Sequence, residues 1–151
     1  MIKVVSQDVW QHYKTFLPTS HTLYIPALPE TLPYAGTIAG PFDYVPPEPL
    51  LAKLRQWLCS KGVASVFYFL TERVAQDHPT DYEISVSELT EANLATLNNG
   101  FENVVAGTDF SWALFMDHEG QLHVAGPSEL FSCLQAWDRV TERYGKGKHD
   151  R

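Results

Sequence analysis

Eight of the ten prolines fall between Pro18 and Pro49, interleaved with Tyr24, Tyr34, Phe42 and Tyr44. Proline lacks the donor N–H and fixes φ, so this density excludes a regular ladder or helix from the segment. Residues 18–49 therefore read as a long loop, either wrapped over the core and pinned by its aromatics or forming an aromatic-lined binding surface. The core must come from the rest of the chain. With 151 residues, 44% of them hydrophobic, there is material for one domain. It is expected to span 1–144, with Gly145 to Arg151 as a flexible basic tail.

Hydrophobic spacing outside the loop alternates between helix and strand periods. Val9, Tyr13 and Phe16 predict a helix from Asp8 to Phe16, with Asp8 available as cap. Leu23 to Ile25 reads as a short strand. Leu50, Leu51, Leu54, Trp57 and Leu58 lie on one helical face, and Gly62 supplies the stop. Val63 to Leu70 predicts a strand buried on both faces, and Tyr82 to Val86 a half-exposed one. Ser87 to Asn99 reads as a short helix capped by Ser87 or Thr90, with Asn99-Gly100 as its left-handed end. Phe101 to Gly107 follows as a strand. Phe110 to Asp117 and Gln121 to Ala125 form a hairpin. A two-residue Glu119-Gly120 turn would pair Met116 with His123 and Phe115 with Val124. Pro127 or Ser128 opens a last helix to about Tyr144, with Leu130, Phe131, Leu134 and Trp137 as its stripe. The expectation is an α+β fold: a largely antiparallel sheet with a C-terminal β-hairpin and helices packed on one side.

The charge is unevenly distributed. The net value of −7 divides into +1 over residues 1–73, −11 over 74–138 and +3 over 139–151, with no Lys or Arg between Arg73 and Arg139. A nucleic-acid binder needs clustered Lys and Arg, so that class is disfavoured. An anionic membrane surface is disfavoured on the same ground. The first ten residues show no secretory pattern, and no apolar run approaches the roughly 20 residues that span a bilayer. Cys59 and Cys133 make no disulfide framework and read as buried free thiols. A cytoplasmic protein is expected.

Chemical motifs are sparse. Gly36 to Gly40 lacks the lysine of a phosphate loop, and no Gly-x-Ser-x-Gly elbow is present. His118, Glu119 and His123 are spaced one residue longer than the helical zinc-protease motif and fall on a hairpin, so no metal site is expected. No cofactor and no catalytic residue is assigned. The acids Asp77, Asp81, Glu83, Glu102, Asp109, Asp117 and Glu119 are the candidate partner-binding residues, as one face steering a basic protein partner.

The stretch Asp109-Phe-Ser-Trp-Ala-Leu-Phe-Met-Asp-His-Glu-Gly-Gln-Leu-His-Val-Ala-Gly126, followed by Pro-Ser-Glu-Leu-Phe131, resembles the C-terminal hairpin and helix of small bacterial immunity proteins. Those proteins bind and neutralise polymorphic or contact-dependent toxins. The resemblance implies a non-catalytic protein whose partner is a cationic toxin. The alternative is a small enzyme or ligand-binding domain with a pocket under the 18–49 loop. Tyr34, Phe42 or Tyr44 would line it, with His21, His118 or His123 converging there. A third reading, a structural subunit, would be supported by Trp10 or Trp112 forming an exposed apolar patch.

Overall fold

A computed structural model describes residues 1–14, 32–71, 79–98, 100 and 102–137. Seven strands form one antiparallel sheet: β1 (Ile2–Val4), β2 (Tyr34–Ile38), β3 (Ser65–Leu70), β4 (Asp81–Ser85), β5 (Asn103–Gly107), β6 (Ala113–Met116) and β7 (Leu122–Ala125). Their spatial order is β1-β4-β3-β5-β6-β7-β2. Among the described residues, four α-helices accompany them: α1 (Gln7–Lys14), α2 (Glu48–Ser60), α3 (Glu91–Asn98) and α4 (Ser128–Gln135). The architecture is α+β, as the mixed order of periods predicts.

Side-chain alternation divides the core into two layers. Val66, Tyr68 and Leu70 of β3 join Leu50, Leu51, Leu54 and Leu58 of α2 and Leu130 and Leu134 of α4 on one face. Phe69 and, partly buried, Phe67 point to the other, where Trp10 and Tyr13 of α1 cover Val104, Ala106, Ala113 and Phe115. Helices therefore flank both faces, which corrects the one-sided arrangement expected from sequence. The spacing of Val9 and Tyr13 defines a buried face on α1 without saying which side of a sheet receives it. Trp10 and Trp112 are both buried, so neither forms the exposed patch of a structural subunit.

Helix α2 shows how sequence sets the boundaries. Pro47 and Pro49 suit its first turn, where the N–H groups have no helical acceptor. At its end, Gly62 adopts φ 73°, Val63 N–H bonds Leu58 O at 3.0 Å, and Gly62 N–H bonds Cys59 O at 3.0 Å. That is a Schellman stop. The starts of α2 and α3 cap one another: Glu48 N–H donates to Glu91 Oε1 at 2.8 Å, and Glu91 N–H donates to Glu48 Oε1 at 2.9 Å. Arg55 ties the pair by donating to Glu48 Oε2 at 2.6 Å and Leu89 O at 2.7 Å. Thr90 Oγ1 accepts from Asn93 N–H at 3.2 Å, so Thr90 caps α3. At α1, Ser6 Oγ accepts from Asp8 N–H at 3.1 Å, and Ser6 rather than Asp8 is the cap.

The proline-rich segment contains a strand, contrary to expectation. Tyr34–Ile38 lies in a proline-free window between Pro33 and Pro41 and pairs with β7 at the sheet edge. After it, Phe42 packs edge-on to Trp137 with centroids 5.5 Å apart. Tyr44 is held at φ 65°, and its carbonyl accepts from Asn103 Nδ2 at 2.8 Å and Asn98 Nδ2 at 3.4 Å. A left-handed tyrosine costs on the order of 1–3 kcal/mol, which these buried amides help offset. The described part of the loop is thus anchored to the core. The Leu23–Ile25 strand, the helix beyond Trp137 and the 145–151 tail lie outside the described residues, as do Asp77 and His21.

The β6–β7 register also differs from expectation. Met116 pairs with Leu122, Phe115 with His123, and Leu114 with Val124. Asp117 N–H donates to Gln121 O at 3.1 Å, leaving His118, Glu119 and Gly120 as a three-residue loop with Gly120 at φ 79°. This is a turn with a glycine bulge, not a two-residue turn. One extra residue in the loop moves His123 from the Met116 face to the Phe115 face. The two thiols are free, but Cys59 is exposed, because it lies on the outer side of α2.

Candidate functional site

The end of the sheet bearing the β6–β7 loop collects a continuous polar network. Asp117 organises it, because its side chain follows Phe115 on the α1 face and turns back over its own loop. Oδ1 accepts from Glu119 N–H at 2.8 Å and Gln121 N–H at 2.9 Å, while Oδ2 lies 2.8 Å from His123 Nε2. Partial burial pushes this carboxyl up, but donors from Gln121, His123 and Glu119 outweigh it and hold it below its ordinary value. Gly120 is required here twice over. Its φ is left-handed, and a Cβ would sit 2.6 Å from Phe42 O.

His123 is mostly enclosed and stacks on Phe115 with ring centroids 5.8 Å apart. Its Nδ1 lies 2.9 Å from Thr37 Oγ1, directly opposite on β2, and Tyr34 Oη bonds the same hydroxyl. In the tautomer whose Nε2–H donates to Asp117, Nδ1 accepts from the Thr37 hydroxyl. The result is a hydrogen-bonded chain from an exposed phenol to a carboxylate. Hydroxyl, imidazole and carboxylate stand in the sequence that general-base chemistry uses.

A second histidine–carboxylate pair flanks the first. Glu102, just before β5, accepts at Oε2 from His118 N–H at 2.8 Å and lies 2.6 Å from His118 Nδ1. That hydrogen bond, and then the charge of Glu102, raise the pKa of the exposed imidazole, with smaller help from Glu119 and Asp117. Glu119 projects from the loop beside it and is exposed.

The seven acids named from sequence are therefore not equivalent. Glu102, Asp117 and Glu119 meet at the hairpin end. Asp81 begins β4 and is buried opposite Phe69. Glu83 is in mid-strand, 3.4 Å from Lys3 Nζ, and Ser65 Oγ donates to it at 2.5 Å. The Ser65 bond is the main reason its carboxyl is lowered. Asp109 lies at the other end, where its Oδ1 accepts from Ser111 N–H at 3.0 Å and Ser111 Oγ at 2.8 Å. Tyr34 and Phe42 face opposite sides of the sheet, Tyr34 toward Thr37 and Phe42 toward Trp137.

Thr37 has no counterpart in the sequence reading. The only signal for it is the proline-free window containing it, since its partner is 86 residues away. Among the described residues, no group of three or more His, Cys, Asp or Glu is arranged to hold a metal ion, and no helix is long and apolar enough to cross a membrane. Compared with known proteins, the chain matches no family model, no curated protein and no solved structure.

Proposed function

We propose that this chain is a non-catalytic binding protein of the immunity type, which meets and neutralises a cationic protein partner through the hairpin end. The observation that carries this reading is the meeting of Glu102, Asp117 and Glu119 at one end of the sheet, in a sequence with no Lys or Arg from 74 to 138. Three carboxylates face only two imidazoles there, so the end stays net negative even with both rings protonated. Such a surface raises the association rate with a basic partner and discourages acidic ones. Asp81, Glu83 and Asp109 add to the field rather than to the contact.

The test is binding to the product of the neighbouring gene, which this reading expects to be a basic toxin. Association is expected to be tight and to weaken steeply with salt, and Glu119→Gln is expected to slow it further. Absence of binding at low ionic strength sinks the reading.

The chain Tyr34–Thr37–His123–Asp117 favours a second reading, an acyl-transfer or ligand site in which Thr37 is activated by His123. Turnover of activated esters that disappears in both Thr37→Val and His123→Gln would support it. Equal background rates in all three proteins would remove it.

A further inference from the structure

At the opposite end of the sheet, a cavity of about 380 Å³ opens between the C-terminus of α2, the β5–β6 turn and the start of α4. That volume lies within the range of small-ligand sites. Its walls include the Trp57 and Trp112 indoles, 6.1 Å apart between centroids and nearly perpendicular at 87°. Two carboxylates, Asp109 and Glu129, and one ammonium, Lys61, form the charged part of the lining.

The chain's own cation marks what the walls attract. Lys61 Nζ lies 5.7 Å from the Trp57 ring centroid and 3.1 Å from Glu129 Oε1. It is a weak occupant, because both partners of this ion pair are substantially exposed and such pairs contribute little. The Asp109 carboxylate meanwhile spends only Oδ1 on its turn, and Oδ2 carries no hydrogen bond among the described residues. The site thus offers an indole face and two acidic groups, one of them half-used, against one replaceable ammonium.

We infer that this cavity binds an alkylguanidinium cation, which displaces Lys61, stacks on Trp57 and bonds Glu129 and Asp109. A guanidinium fits better than an ammonium. It is planar, weakly hydrated and forked, so it stacks on an aromatic face and reaches a carboxylate in the same pose. The cation belongs either to a free ligand or to an arginine of another chain. The site does not depend on the hairpin reading, since it lies at the other end of the sheet.

Titration of the full chain with butylguanidinium, and separately with acetyl-Gly-Arg-Gly-amide, tests the inference through the indole N–H resonances of Trp57 and Trp112. Saturable shifts are expected, with butylammonium binding more weakly. Glu129→Gln should weaken binding about tenfold. Lys61→Met should tighten it several-fold, because the internal competitor is gone. Equal affinity for the two probes identifies a free guanidinium ligand, and tighter peptide binding identifies a partner's arginine. Glu119→Gln should leave the titration unchanged, which separates this site from the hairpin. No saturation below about 10 mM, no effect of Glu129→Gln, or weaker binding by Lys61→Met each overturns it.

Discussion

At the hairpin end Glu102 and Asp117 are each met by a histidine, whereas at the β5–β6 turn end Glu129 is met by Lys61 and Asp109 by its own turn. The backbone conditions differ as well. The hairpin loop is locked under Phe42, with Phe42 N–H donating to Gly120 O at 2.9 Å, while the other end is open enough to form a cavity. The hairpin end is therefore held in place, and its charge changes with the protonation of His118, whose pKa Glu102 raises. The other end has room for an occupant. Two acidic surfaces that look alike in a net-charge tally are physically distinct, because imidazoles meet the carboxylates of one, while an ammonium and a backbone turn meet those of the other.

The strongest way to break the contrast is at Gly120. It and Gly100 share a φ of 79°, but a Cβ at Gly100 meets nothing within 4 Å. Gly100→Ala should cost only the left-handed strain, roughly 1–2 kcal/mol. Gly120→Ala should cost about 3 kcal/mol or more, because the collision with Phe42 O adds to that strain. Chemical denaturation of both variants measures the difference, and equal losses would mean that the loop is not locked.

Asp117→Asn is next, at about 1–2 kcal/mol, since the amide can still accept from the loop but loses the charged partner for His123. The depressed Asp117 carboxyl also sets an acid limit. Its contribution is fully present above the ordinary aspartate pKa and is lost as pH falls through the lowered folded value. Acid unfolding of the wild type should be steeper than that of the variant.

His118 gives a smaller effect with the opposite sign. Its folded pKa is raised, so its stabilising bond to Glu102 is fully present below the ordinary histidine value of about 6.5 and is lost as pH rises through the folded value. On the proposed immunity reading, association with a cationic partner should run the other way and slow as pH falls through that value, because the imidazolium cancels a carboxylate. In His118→Gln that dependence should flatten, as read by association rates at low salt. The smallest change is expected for Lys61→Met, whose ion pair with Glu129 is exposed and contributes little to stability, as chemical denaturation would show.

Much of the fold was legible in sequence for reasons that these ends illustrate. Leu50, Leu51, Leu54 and Leu58 show one helical face because packing on a sheet demands it, and all four are fully buried. Strand β3 was readable because both of its faces are covered. The edges were not. Ile2–Val4 is three residues long with little burial, and β2 is masked by the prolines around it. The hairpin was recognisable but its register was not, because Asp117 caps the loop and commits one more residue to it than Glu119-Gly120 alone suggests. That single residue decides the chemistry, since it places His123 between Asp117 and Thr37. Charge spacing brought out Glu102, Asp117 and Glu119. It could not find Thr37, whose only link to them is a strand pairing across most of the chain.

The exchanged caps of α2 and α3 carry a consequence for motion. Glu48 and Glu91 each hold the other helix's first N–H, so neither start can fray without releasing both. The two ends should behave as one opening unit in hydrogen exchange, although 43 residues separate them along the chain. Helix α3 then gains its persistence less from its own eight residues than from a neighbour that cannot loosen alone.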